Sequence, residues 1–455
     1  MRFMRCSLLT VCFTILLASV VPRIVPAPKV LPRIVAAQTT QAAPAPATPQ
    51  QAYSLPPDKL AKAVAINRIR NIMHFVNSLW GIAVLWLLLA TGIAFRLEAW
   101  AQGVSARRWI QGLLFFAAFF IITALASLPL DWFGQHVEKS YDISVQGWGS
   151  WLGDEGKALA LTLVIGAPVL LLFNWIVRRW PRRYWFGIWL ATLPLFVLGV
   201  FAQPLLEPIF NKFEPLSLNH AGLVTQLEKV VARTGTNIPP ERMFLMKASE
   251  KTKGLNAYVS GIGATKRIVV WDTTAGQIPD DELLLVFGHE SGHYVLHHIP
   301  KLIAGTAFAL FFIYWACAAF SAGLARVYGE RWRLTGLTPA ATDSPLASRA
   351  GFLVLILAIS IASFLTEPVS NAFSRHFEHQ ADVYGQEAIH GIVADPQKTA
   401  VSGFNHLGQA WLEDPNPSPF IEFWCYSHPS VQNRANFAAN YDPWANGGHG
   451  EFFDK

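Results

Sequence analysis

Residues 279–298 read PDDELLLVFGHESGHYVLHH, with four histidines and a glutamate in the last eleven positions. Pro279 and Asp280 suit a helix start, with acidic residues in the first turn. Leu283, Leu284, Val286 and Phe287 then recur at helical spacing. On that helix His289 and His293 share a face, because residues four apart lie one above the other. Glu290 lies one step round, within reach of a water on a metal held by the pair. This is the H-E-x-x-H pattern, in which two imidazoles bind zinc and the glutamate acts as general base. An amphipathic helix with incidental histidines is the competing reading. Gly292 costs about 1 kcal/mol against alanine in a helix, which suggests close packing at the site. His297 continues the face a turn too far along and His298 falls on the other side, so both are expected to be surface or interfacial.

A catalytic zinc takes three protein ligands and keeps one position open for water. A third histidine six residues after His293 would define one class of zinc protease, but that position is Ile299. A carboxylate on a second helix is the alternative, and SNAFSRHFEHQADVYGQEA (370–388) offers one. There Glu378 and Asp382 lie four apart on one face, with Arg375 a turn earlier, as expected of a ligand carboxylate with supporting partners. An exposed helix with an Arg–Glu–Asp ladder fits the same letters. His376 and His379 are rival ligands, the first facing away from Glu378 and the second beside it.

The chain has 455 residues, 52% of them hydrophobic and 15% charged, with 17 Trp and 31 Phe. That composition belongs to a membrane protein. Four cysteines make no disulfide framework. The net charge of +6 is carried in short clusters flanking apolar runs, which reads as membrane topology and excludes a nucleic-acid partner. The first 25 residues look like a secretory signal peptide or uncleaved anchor, and 26–60 is a Pro/Ala-rich linker. Apolar spans of near-bilayer length fall at about 74–95, 111–130, 156–177, 185–206, 302–324 and 350–367. The fold class expected is therefore a mainly α-helical integral membrane protein with six transmembrane helices and a small α+β zinc-peptidase domain. The two halves of the proposed zinc site flank a membrane hairpin. Two crossings return the chain to one side, so the halves can meet.

Upstream of the zinc helix, RMFLMKA, LNAYVSG and KRIVVWDTT read as strands of a small antiparallel sheet. An exposed strand can hold a peptide backbone by strand addition, and NAYVSG is the candidate edge, with Asn256 and Ala257 nearest the cleft. A purely structural strand reads the same way. In YSHPSVQNRANF (426–437), His428 precedes Pro429 at a helix start, with Arg434 two turns in. Such a histidine could donate to an oxyanion, or simply cap a helix.

Taken together, EPIFNKFEPL (207–216), NAYVSG, KRIVVWDTT, HESGH, SRHFEHQAD and SHPSVQNR resemble the type I CAAX prenyl protease family of integral-membrane zinc metalloendopeptidases. The resemblance covers most of the chain after residue 60. It implies one Zn²⁺ per chain on His289, His293 and Glu378, with Glu290 as catalytic base. It also implies substrate contacts at Asn256 and a transition-state role for His428, supported by Arg434 and Asp382. Helices of that family enclose a large chamber within the membrane. His379 stands where an aromatic residue is usual, and Asn433 where a glutamate is. The expected organisation is 1–25 signal or anchor, 26–60 linker, 61–216 N-terminal transmembrane domain, 217–442 metallopeptidase domain with two further spans, and 443–455 tail.

The expected partners are a peptide or lipidated-protein substrate and the lipid bilayer, and the chain is expected to be a monomer. A membrane quality-control protease with the same chemistry is the second reading. A lipid- or peptide-binding protein with a relic site is the third. Lys and Arg mark cytoplasmic loops. Arg96, Arg107 and Arg108, then Arg178, Arg179, Arg182 and Arg183, then Arg326, Arg331 and Arg333 follow the first, third and fifth spans. The loop after the second is acidic. This alternation places the zinc and the C-terminus outside the cytoplasm of a bacterial inner membrane.

Overall fold

The computed structural model describes residues 52–261, 263–334 and 344–454. The signal-like stretch 1–25 and most of the linker lie outside these residues. The first span is α1 (Pro57–Ala90), followed by the short α2 (Ile93–Val104) and the second span α3 (Arg108–Ser140). The third runs through α4 (Trp148–Leu161), a single π turn and α5 (Ala167–Arg179), and the fourth is α6 (Tyr184–Phe210). A mixed region follows, with β1 (Phe213–Pro215), α7 (Ala221–Thr234), β2 (Met243–Met246), β3 (Ala257–Ser260), β4 (Arg267–Trp271) and α8 (Asp280–Val295). Then come the fifth and sixth spans, α9 (His298–Tyr328) and α10 (Arg349–Ala388), and three closing helices, α11 (Pro396–Trp411), α12 (Pro419–Cys425) and α13 (Val431–Asn440).

Six of these helical segments are long and apolar enough to cross a bilayer, as expected from the sequence. They are longer than their apolar windows. The 34 residues of α1 extend about 50 Å at 1.5 Å per residue, well beyond the ~30 Å hydrocarbon core. Outward faces are apolar, with Val164, Leu205, Phe308 and Val327 each at least 70% exposed, as lipid-facing residues are. Inward faces pack Phe115, Phe116, Phe119 and Phe120 against Phe352 to Leu357.

Pro368 lies inside α10 and does not end it. Its missing N–H costs one helical bond, which neighbouring helices can compensate in membrane proteins. The apolar span and the segment carrying Glu378 are therefore one 40-residue helix, where the sequence suggested a span ending near 367 and a separate helix at 370–388.

Among the described residues the sheet has four strands in the order β1-β2-β4-β3. It is mixed rather than antiparallel, because β2 runs parallel to β4 while β1–β2 and β3–β4 are antiparallel. The chain between β2 and β4 crosses over and lays down β3 on the far side, which forces the parallel pair. The three-residue β1 is too short to show an alternating pattern. The β3 strand is an edge, as expected. Leu245, Val269 and Val270 join Leu227 and Val230 of α7 and Leu284 and Phe287 of α8 in one core. That core fixes α8 beneath the sheet.

Candidate active site

Helices α8 and α10 approach at glycines. A Cβ on Gly288 would stand 3.0 Å from the Gly385 carbonyl oxygen, and one on Gly292 would stand 3.0 Å from Tyr384 Cβ. The packing inferred from Gly292 is present. This backbone contact sets His289 and His293 of α8 opposite Glu378 of α10. His289 Nε2 lies 3.2 Å from His293 Nε2 and 3.2 Å from Glu378 Oε2. His293 Nε2 lies 3.7 Å from Glu378 Oε1.

These separations fit a zinc ion. Bonds of about 2.0–2.1 Å in a tetrahedron hold ligand atoms roughly 3.3–3.4 Å apart. Among the described residues Glu378 Oε2 is buried without a hydrogen-bond partner, although imidazole nitrogens converge on it. A cation between the three groups satisfies all of them at once. Burial holds the His293 imidazole down to about 3, in the neutral form a metal ligand needs. Neither rival histidine joins them: the His379 ring packs on Phe437 and the His376 ring on Phe377.

Glu290 stands beside this group. Its carboxyl is pushed up to about 7 by burial. The Val259 amide of β3 donates to its Oε2 at 3.4 Å. In an antiparallel strand, backbone groups point alternately to either side. The Asn256 carbonyl accepts from the Trp271 N–H and its own N–H donates to Thr274 Oγ1, so its backbone is already paired. Ala257, Val259 and Gly261 turn the other way, toward the cleft. Val259 is thus the strand residue nearest the base, and the expectation for Asn256 is left to its side chain alone.

Asp382 lies behind His289 rather than in the cleft. Its Oδ1 is 2.9 Å from His289 Nδ1. Arg434 grips both carboxylate oxygens, at 2.9 and 2.6 Å, and rests on the Phe404 ring. Arg434 is one turn into α13, not two, because that helix begins at Val431 with Ser430 as its cap. His428 precedes the cap and places Nε2 3.2 Å from Glu378 Oε2. Ser427 Oγ is 3.0 Å from its other ring nitrogen.

Arg375 does not support Glu378. Its guanidinium donates to the carbonyls of Glu422, Phe423 and Tyr426 at the end of α12. Unpaired carbonyls at a helix C-terminus attract a cation, and α12 lies alongside α10. Arg375 thereby holds the chain just ahead of His428.

His298, expected to be surface or interfacial, is buried within the protein. The reason is His297, the residue before α9, whose φ of 58° lets α9 start in a new direction after α8 has ended at Val295. The turn carries His298 back to His293, with their Nδ1 atoms 3.0 Å apart. Spacing on a continuous helix could not reveal this. Only Pro300, a residue suited to the first turn of a helix, hinted at the restart. Glu207, to which spacing alone assigns no role, accepts from Tyr258 at 3.0 Å and Arg267 at 2.5 Å, tying the end of α6 to β3 and β4.

Comparison with known proteins agrees with this architecture. Residues 36–212 match the family described as CAAX prenyl protease N-terminal, five membrane helices, and residues 217–442 match peptidase family M48. The chain belongs to this family. An uncharacterized metalloprotease, YhfN of Bacillus subtilis, is 32% identical over 388 residues, covering 84% of this chain and 86% of the relative. CAAX prenyl protease 1 of Saccharomyces cerevisiae is 25% identical, covering 71% of each chain. The crystal structure of S. mikatae Ste24p shares the fold, with a TM-score of 0.68 at 22% identity over 85% of this chain and 91% of that one. The protein is a membrane zinc metalloendopeptidase that resembles the CAAX prenyl proteases.

Proposed function

We propose that one Zn²⁺ per chain is held by His289, His293 and Glu378, and that the site cleaves peptide bonds near the apolar or lipidated C-terminus of a substrate. The observation carrying the metal assignment is the 3.2–3.7 Å spacing of the three ligand atoms. The ion would supply Lewis-acid polarisation of the scissile carbonyl and a water of lowered pKa. Glu290 takes the proton of the attacking water and passes it to the leaving amine. A carboxyl raised toward neutrality suits both halves of that transfer. His428, with Nε2 directed at the metal group, donates to the oxyanion. Asp382 fixes the His289 tautomer by accepting from Nδ1, and Arg434 holds Asp382. The outward backbone of Ala257 and Val259 pairs with the extended substrate.

The substrate class rests on the name of the yeast relative, CAAX prenyl protease 1, and on a site joined to the spans through α10. The catalytic side is proposed to face away from the cytoplasm, on the charge alternation of the short loops. The test of substrate is a comparison of cleavage rates for a farnesylated CAAX peptide, the same peptide without lipid, and an unfolded membrane protein. Preference for the farnesylated peptide supports the proposal. Preference for the unfolded protein moves the assignment to membrane quality control.

A further inference from the structure

His293 must present Nε2 to His289 and Glu378 if it is to bind a metal, so its remaining proton sits on Nδ1. That nitrogen meets His298 Nδ1 at 3.0 Å. An acceptor is needed there, so His298 carries its own proton on Nε2. The Nε2 atom in turn lies 3.1 Å from Gln380 Oε1, a group that can only accept. One assignment of tautomers therefore satisfies the whole row. The His298 ring is also stacked on Phe377 at 4.7 Å, which fixes its plane. Gln380 is two residues beyond Glu378, so α10 supplies both a proposed ligand and the far end of the row.

We infer that His298 and Gln380 are positioning residues that orient His293 for metal binding, an inference that rests on the zinc assignment above. Each imidazole then has its own support. His289 leans on the Asp382 carboxylate from α10, and His293 leans on a neutral imidazole from the first residue of α9. Partners of this kind fix ring orientation, and losing one costs about 10- to 100-fold in metal affinity. Because His298 begins the fifth span, any shift of that span would be felt at the metal.

The test is zinc affinity of the full-length protein in detergent, measured by chelator competition. His298→Phe keeps a ring to stack on Phe377 and removes the acceptor; it is expected to weaken zinc binding about tenfold or more. His298→Asn places an amide oxygen near the position of Nδ1 and is expected to stay within about threefold of wild type. Gln380→Leu should fall between them. Thermal unfolding of each variant separates a general loss of structure from loss of orientation. Zinc affinity unchanged in His298→Phe overturns the inference, as does equal loss in Phe and Asn variants accompanied by equal loss of thermal stability. Wild-type protein that binds no zinc overturns the metal assignment and this inference together.

Discussion

A Cβ placed on Gly385 would stand 2.7 Å from the backbone nitrogen of His289. Real Cβ atoms do not approach backbone so closely, and backbone cannot swing aside as a side chain can. Gly385→Ala must therefore spread α8 from α10. Overpacking of this kind typically costs about 1–3 kcal/mol. The larger effect should be on the metal, since the same displacement separates His289 from Glu378. The expected outcome is a lowered unfolding temperature with a disproportionate loss of zinc, read by metal analysis of the purified variant. Normal zinc content would mean that the crossing does not set the ligand distances.

Glu290→Gln tests the division of labour within the motif. Glu290 is outside the trio whose ligand atoms converge, so the variant should keep its zinc. Loss of a general base typically costs about 10²–10⁴-fold in rate. Equal zinc with a rate reduced by that order is the expected result. Cleavage at the wild-type rate would remove Glu290 as the base.

Much of this site was legible because it follows local rules. The i, i+4 pair His289 and His293 needs only a helix, and Glu378 with Asp382 needs only another. The strand runs were legible from their β-branched and aromatic residues, and the edge position of β3 followed. What was hidden depends on where the chain turns or what a long side chain reaches. Arg375 sits one turn from Glu378 yet spends its charge on the carbonyls of α12, an element distant in sequence. His298 was misplaced because a single left-handed residue, His297, resets the helical phase. The parallel β2–β4 pairing was hidden because it depends on a crossover and not on either strand's own pattern.

Glu387 gives a prediction remote from the chemistry. Its buried carboxylate accepts from the amides of Glu451, Phe452 and Phe453 at 2.6–3.0 Å, and from the Tyr441 hydroxyl. The rings of Phe452 and Phe453 pack on Tyr384, the residue pressed against Gly292 of α8. Glu387→Gln sets an NH₂ group against one set of these donors. Each buried group left unpaired costs about 1–3 kcal/mol. A lowered unfolding temperature is expected, and deletion of 451–455 should lower it similarly. Combining the two changes should add little, because both release the same tail. Fully additive losses would show that Glu387 acts through something else.

The side of the membrane on which the site lies can be read from the C-terminus, because residues 443–454 follow α13 without another span. The charge alternation puts that end outside the cytoplasm. Asp454 is exposed at the end of the tail held by Glu387, so a cysteine there is accessible on whichever side it faces. Cys317 and Cys425 are both buried, and replacing all four native cysteines removes any background from the rest of the chain. A membrane-impermeant maleimide should then label Asp454→Cys in intact cells to the same extent as after lysis. Labelling only after lysis would put the tail in the cytoplasm. The zinc group would go with it, because Glu387 holds the tail on α10, nine residues beyond Glu378.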